Sequence, residues 1–448
     1  MTDGATPAYE PEPAASDLEY RAPLSDPLSM KIGSFRWRIC ALLFIANTIN
    51  YMDRQVLSFL APLLQTRIGW NEVQYGYIVV AFQFAYALGL LSVGGIIDRI
   101  GVRLGYTLSI GLWSLASMSH ALARSALSFG ISRFFLGLGE SGNFPAAIKT
   151  VAEWFPKKER ALATGIFNSG TSVGAILVPV AVPWLTVHLG WQSAFLFTGG
   201  FSFLWLILWW TTYKSPESEP RLGAAELAHI RSDPAEQVAK VPWLRLLGYR
   251  QCWAILIGKF LTDPVWWFLL FWLPKYFSSN FHLQLNGLAA PIMIIYIATC
   301  VGSIGGGWLP ALLIRAGLSI RSARRTAMLL CALAVLPIML VGSIHNLWLV
   351  VAVISLAGAA HQGWSANIYT VASDVVPRAA VGSVTGIAGF GGAIGGMIAA
   401  YTVGLVLQRF HTYSPIFFVC GTAYILAWLI LQFLTRKPYP VFSAIPHR

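Results

Sequence analysis

Four ionisable residues stand in stretches that are otherwise apolar. Asp53 and Arg54 are adjacent in Asn50-Tyr-Met-Asp-Arg54, and Arg133 precedes Glu140 by seven positions in Arg133-Phe-Phe-Leu-Gly-Leu-Gly-Glu140. On an α-helix seven residues make nearly two turns, so Arg133 and Glu140 point the same way. Charges among such neighbours are costly inside a bilayer and are tolerated where they pair or line a polar cavity. A guanidinium fork can grip a carboxylate with two hydrogen bonds, which makes Arg54 and Arg133 candidates for binding an organic anion. Burial favours the neutral form of a carboxyl and a nearby guanidinium favours the charged form. Asp53 and Glu140 are therefore candidates for carrying protons, Glu140 the better placed because its neighbours are apolar. The plainer alternative is that these acids are only counter-ions of structural arginines, although such pairing costs desolvation that an apolar pair avoids.

Other polar residues could converge on the same cavity and read hydroxyls as sugar contacts. Tyr51 lies beside the first pair, while Gln83 and Tyr86 share a helix face. Further on, Trp364 shares a face with Asn367 and His361 with Ser365. Each is individually as well suited to packing, and His361 equally to a neutral hydrogen-bonded role. Asp263, one turn after Lys259, suits a simple ion pair and is a weaker candidate.

The elements that must hold these residues are helices in a membrane. The chain is 56% hydrophobic and 11% charged, against about 25% charged in soluble domains. At about 20 residues per span there is room for about twelve helices. We place them at 37–62, 73–97, 105–123, 126–152, 161–185 and 192–213, then at 252–277, 288–314, 324–343, 347–372, 381–407 and 414–434. The runs are too long and do not alternate as a β-barrel requires. The net charge of +12 does not indicate nucleic acid. Lys and Arg crowd alternate connections, for example Arg99 with Arg103, Lys157 with Arg160, and Arg321 with Arg325, whereas the others hold only Arg67, Arg124, Lys275 and Arg409. That bias puts both termini in the cytoplasm. The five cysteines are scattered singly, which argues against a disulfide framework or a zinc site. Residues 1–30 read as a disordered tail with no secretory signal.

The second half repeats the first. Phe155-Pro156 leads to Thr164-Gly165-Ile166 as Val376-Pro377 leads to Thr385-Gly386-Ile387, and Gly170 and Gly174 answer Gly391 and Gly395. By this register His361 falls where Glu140 falls. Two six-helix halves follow, with a site near the midplane between them. The glycines at 165, 170 and 174, at 302 and 305–307, and from 382 to 396 serve close packing, and could also let the halves slide past each other. Gly137-x-Gly139-x-x-Gly142 matches a dinucleotide fingerprint, but it follows no strand and is better read as helix packing.

The connection Gly94-Gly-Ile-Ile-Asp98-Arg99-Ile-Gly101-Val-Arg103 resembles the signature of the major facilitator superfamily. Its Asp98 is suited to accept hydrogen bonds at a neighbouring helix N-terminus, and Gly94, Arg99, Gly101 and Arg103 complete a gating motif. Asn50–Arg54, Arg133–Pro145 and Glu153-Trp-Phe-Pro156-Lys-Lys-Glu-Arg-Ala161 resemble its anion:cation symporter branch. Gly258–Trp267 and His361–Tyr369 resemble that branch's bacterial hexuronate transporters. The resemblance runs from about residue 36 to 434. It implies that Arg54 and Arg133 bind the organic anion, that Asp53 and Glu140 couple protons, and that Tyr51 and Tyr86 lie near substrate. Thr171 stands where galactonate-type relatives place glutamine, and Pro310 and Ala311 stand where the second gating motif has an acidic residue.

The expectation is an all-α membrane protein of the major facilitator fold, twelve spans in two pseudo-symmetric bundles. Residues 1–35 are a tail, 36–213 the first bundle, 214–250 a cytoplasmic linker, 251–435 the second bundle and 436–448 a second tail. The expected function is proton-coupled import of a sugar-acid anion, galacturonate or glucuronate, by a monomer in the inner membrane with no cofactor or metal. Alternatives are an aldonate or glucarate importer, an organophosphate antiporter, and a membrane sensor that binds an anion without moving it. No P-loop, HExxH or catalytic triad spacing supports an enzyme.

Overall fold

A computed structural model describes residues 33–232, 246–375 and 378–435. Most of the first tail, the second tail, residues 233–245 of the linker and Val376-Pro377 of the repeat lie outside the described residues. Chain order is α1 (Phe35–Ile68), α2 (Glu72–Ile100), α3 (Val102–Ser119), α4 (Ala126–Glu140), α5 (Asn143–Trp154), α6 (Lys157–Leu189) and α7 (Trp191–Thr212). A short α8 (Ala224–Ile230) precedes α9 (Arg250–Phe281), α10 (Ala289–Arg315) and α11 (Ile320–Val335). The last three are α12 (Leu347–Val375), α13 (Arg378–Phe410) and α14 (Ser414–Leu434).

Local chemistry sets the boundaries. α1 stops at Gly69, whose φ of 80° suits glycine, and α2 starts at Asn71 with a capping box completed by Gln74. The fourth expected span is broken directly after Glu140. Pro145 sits near the start of α5 and cannot donate to Ser141, so the helix restarts with Gly142 between the two pieces. Among the described residues nine helices are long and apolar enough to cross a membrane. Of the twelve expected spans, those in α1, α3 and α4–α5 fall outside that set. α1 carries Arg36, Arg38, Asp53 and Arg54, α3 is diluted by Arg103 and several serines, and α4 and α5 are short pieces.

Helices α1–α7 pack chiefly on one another, as do α9–α14, and the groups meet through α1 with α9, α2 with α13 and α6 with α10. Several close contacts between the groups lie toward the end that carries the start of α2. Gly76 lies against Ala400 and Gly404, the Tyr75 hydroxyl donates to the Phe271 carbonyl at 2.6 Å, and Lys275 pairs with Glu72. Toward the other end, which carries the starts of α1 and α9, Gly94, Gly95, Gly305, Gly307, Gly386 and Gly389 have open space beside them. The glycines expected to slide between halves mostly do something else. Gly170 and Gly174 press on α1, Gly302 and Gly306 on α12, and Gly391 and Gly395 on α9, all within their own group. Gly137 and Gly139 likewise admit α2 and α3.

The end with the starts of α1 and α9 is tied down by charge. Arg36 bridges Glu159 of α6 at 2.8 Å and Glu226 of α8 at 3.0 Å, and His229 reaches Glu159 at 2.9 Å. Burial works against ionisation of Glu159, but hydrogen bonds from Arg36 and His229 outweigh it and hold the carboxyl below its ordinary value. A depressed carboxyl contributes stability above the ordinary carboxylate range and loses it as pH falls below that range. Docking of α8 should therefore persist at neutral pH in the parent. Arg36→Gln should release it at the same pH, seen as faster trypsin cleavage after Arg231; unchanged cleavage would mean that apolar packing alone holds the helix.

Candidate functional site

Arg54 lies midway along α1 and projects onto α4. Its Nε donates to one oxygen of Glu140 at 2.8 Å, its Nη2 lies 2.7 Å from the same oxygen, and both side chains are buried. Asn50, one turn earlier, offers its amide oxygen at 3.5 Å. The guanidinium is surrounded by aromatic rings: Tyr51 at 4.7 Å, Tyr86 at 5.0 Å, Phe82 at 5.2 Å and Trp267 at 5.6 Å from its central carbon. Trp267 belongs to α9, so the cage is closed by the second helix group. A desolvated cation over aromatic faces gains up to about 2 kcal/mol. That helps hold Arg54 at a depth where water cannot.

Arg133 reaches from α4 back to α1. Its Nη1 donates to the Arg54 carbonyl at 3.0 Å, and its guanidinium lies 5.7 Å from the Phe82 ring. Arg133 is thus braced by the main chain of Arg54, and both guanidinium groups lie beside the Phe82 ring. Asp53 does not bridge its neighbour Arg54, because successive helical residues point some 100° apart. It turns to α3 and accepts from the Ser117 hydroxyl at 2.6 Å, with Thr198 beyond. Among the described residues Asp53 Oδ2 and Glu140 Oε1 have no hydrogen-bond partner, nor does either amide atom of buried Gln83.

The second helix group supplies fewer of the expected contacts. Asn367 is buried and donates at 2.8 Å to the carbonyls of Gly306 and Gly363, fastening α12 to α10. Trp364 is fully buried against Tyr424. His361 lies flat on Trp266, centroids 5.2 Å apart, and its Nδ1 meets the Tyr424 hydroxyl. These three therefore sit inside their own group. Lys259 and Asp263 form the one-turn ion pair at 2.8 Å.

The gating stretch also departs from expectation. Asp98 is exposed and pairs with the Lys149 ammonium of α5 at 2.8 Å, not with the N-terminus of a neighbouring helix. Arg103 donates to the Trp210 carbonyl at 2.6 Å and stacks on its ring, holding α3 to α7. Arg99 and Gly94 lie on the open surface near it, and Gly101 turns the chain at a φ of 83°.

Phe82, Trp267, Asn50 and Ser117 were not singled out in the sequence as site residues. Trp267 stands in the quoted Gly258–Trp267 stretch, and Phe82 adjoins Gln83, but only the helix crossing shows that both face Arg54.

A bundle of long apolar helices with a charged pair buried at its centre, and with its two groups in close contact toward one end, is the layout of a membrane transporter. The chain belongs to the Major Facilitator Superfamily, whose family model matches residues 43–400 and 311–447. It is 30% identical over 415 residues to the hexuronate transporter of Escherichia coli (strain K12), covering 91% of this chain and 96% of that protein. It is 32% identical over 287 residues to the galacturonate transporter of Dickeya chrysanthemi, covering 63% of this chain and 83% of that one. Among solved structures it shares its fold with a D-xylose-proton symporter, at a TM-score of 0.70, 16% identity, and 90% and 100% coverage. A bacterial homolog of the human lysosomal transporter Spinster, in an inward-facing and occupied conformation, gives a TM-score of 0.67 at 16% identity, with 90% and 96% coverage. Family and relatives are transporters, so the chain is a transporter and not an enzyme.

Proposed function

We propose that the protein imports a sugar-acid anion, a hexuronate such as galacturonate or glucuronate, together with protons, by alternating access. The observation that carries the reading is the buried Arg54–Glu140 bridge, in which both arginine nitrogens use one carboxylate oxygen and the other has no partner among the described residues. A proton arriving at Oε1 neutralises Glu140 and frees the guanidinium to take a foreign carboxylate, with Arg133 beside it as second cation. Loss of that proton restores the internal bridge and expels the anion. Asp53, held by Ser117, is the second proton carrier, and Tyr51, Tyr86 and Gln83 contact the substrate. The names of the relatives support the substrate class.

The reading further assigns twelve spans in two bundles, 36–213 and 251–435, in a monomer of the inner membrane with both termini and the linker in the cytoplasm. The end with the starts of α1 and α9 is then cytoplasmic and the conformation inward-facing. An aldonate or aldarate substrate is the second reading, favoured by similarity to a D-galactonate transporter at 28% identity over 419 residues.

Uptake by pH-clamped proteoliposomes offered a panel of hexuronates, aldonates and phosphorylated sugars tests this. Accumulation of a hexuronate driven by an inward proton gradient is expected, and a requirement for phosphate counterflow would instead indicate an antiporter. Binding without flux would indicate a sensor. Glu140→Gln should lose gradient-driven accumulation while retaining exchange of labelled for unlabelled substrate. Undiminished accumulation in that variant would remove Glu140 from the coupling step.

A further inference from the structure

The two helix groups repeat the same contacts at fixed numerical offsets. Gly170 and Gly174 of α6 press on the carbonyls of Phe44 and Thr48, and Gly391 and Gly395 of α13 press on those of Leu256 and Phe260. From 44 to 256 and from 48 to 260 the difference is 212, so α1 and α9 correspond residue by residue. Gly89 meets the Leu138 carbonyl as Gly302 meets that of Ala359, which relates α4 to α12 by 221. In this register Arg54 answers to Trp266 and Glu140 to His361. The geometry bears that out: Arg54 bonds Glu140, and Trp266 lies on His361 with ring planes 3° apart. The charged pair of the first group is replaced by an aromatic pair in the second.

The same register sets Asp263 opposite Tyr51, whose ring packs on the Arg54 guanidinium. Asp263 stands one turn before Trp267, which closes the cage around Arg54, so both lie on one face of α9. α13 makes room for that face with glycine at 392 beside the Asp263 carboxylate and at 396 beside the Trp267 ring. The Lys259 ammonium holds one carboxylate oxygen at 2.8 Å, and the Asp263 side chain is 15% exposed where Lys259 is 6% exposed. We propose that Asp263, neutralised by Lys259, is the acceptor that reads the ring hydroxyls of the sugar acid and so sets specificity. This rests on the proposed sugar-acid transport.

The chemistry favours that division of labour. A carboxylate can accept from two neighbouring hydroxyls at once, and such charge-assisted bonds are the strong ones. A bare carboxylate would repel an anionic substrate, and the lysine removes that repulsion without occupying every acceptor lone pair. The anion is then gripped by Arg54 and Arg133, and its polyol part is read from the opposite wall.

The test uses full-length protein in proteoliposomes with labelled D-galacturonate and its 2-, 3- and 4-deoxy analogues. In the parent, deleting the hydroxyl that meets Asp263 should lower kcat/KM about 10- to 100-fold. In Asp263→Asn that penalty should shrink to near parity, with the penalties at the other positions kept. Lys259→Met/Asp263→Asn, which strands no charge, should behave alike. If the parent discriminates among the analogues and both variants keep every penalty, Asp263 does not read hydroxyls and the inference fails alone. If the parent moves no sugar acid, the proposed function fails first.

Discussion

Arg54→Lys should lower sugar-acid uptake by at least about 100-fold while leaving the protein folded and membrane-inserted, corresponding to about 3 kcal/mol. Lysine keeps the charge, so a purely electrostatic role for Arg54 would survive the change. It cannot keep the geometry. Nε and Nη2 reach the same Glu140 oxygen from a planar fork, and that plane lies among Tyr51, Phe82, Tyr86 and Trp267. An ammonium is a compact, strongly hydrated point charge that neither forks nor stacks. It would hold the acid less well and a substrate carboxylate less well. Transport assayed in proteoliposomes, alongside gel filtration in detergent, separates loss of function from loss of fold. Near-parental uptake by the lysine variant would mean that charge alone suffices and that the aromatic cage plays no part.

The second large effect belongs to the closed end. Lys275 of α9 crosses to Glu72 of α2, which also accepts from Gln65 at 3.1 Å. The ammonium lies 5.0 Å from the Tyr75 ring and 5.7 Å from the Trp272 ring, almost wholly buried. Lys275→Met leaves the carboxylate without its counter-charge across the contact and should shift the molecule toward opening at this end. Losing a charged hydrogen bond is worth about 1.5–3 kcal/mol, a shift of about 10- to 150-fold. Ser58→Cys, placed one turn beyond Arg54 in a background with the native cysteines replaced, reports it. Its labelling by a membrane-impermeant thiol reagent should rise by about that factor, and the exchanged pair Glu72→Lys/Lys275→Glu should bring it back down. Labelling that ignores both changes would assign closure to the apolar layer around Gly76 and Phe271 instead.

Much of this arrangement was legible in the chain. Four charges in apolar runs marked the candidate site, because charge among such neighbours is costly unless it pairs or lines a polar cavity, and the repeated Pro and Gly spacing announced two related groups of helices. The pairing within the site was not legible. Sequence distance joins Asp53 to Arg54, whereas the helix surface separates them and sends one to Ser117 and the other to Glu140. The break after Glu140 had its signal in Gly142 and Pro145, but a hydrophobic run of that length reads as one span. Asn367 and Trp364 looked like cavity residues by type, and only the crossing of α10 and α12 shows that they face inward to their own group. Asp98 pairs with Lys149, and no spacing rule joins two residues that stand 51 positions apart.

The anchoring of α8 by Arg36 has a consequence for how far the groups can part. With Glu226 buried on the first group, Arg231 after α8 and Tyr249 before α9 stand eighteen residues apart in the sequence. Eighteen steps of backbone reach at most about 60 Å, which bounds how far the end of α8 and the start of α9 can separate. While Arg36 keeps α8 docked, that bound is counted from Arg231 and not from the end of α7 at Thr212.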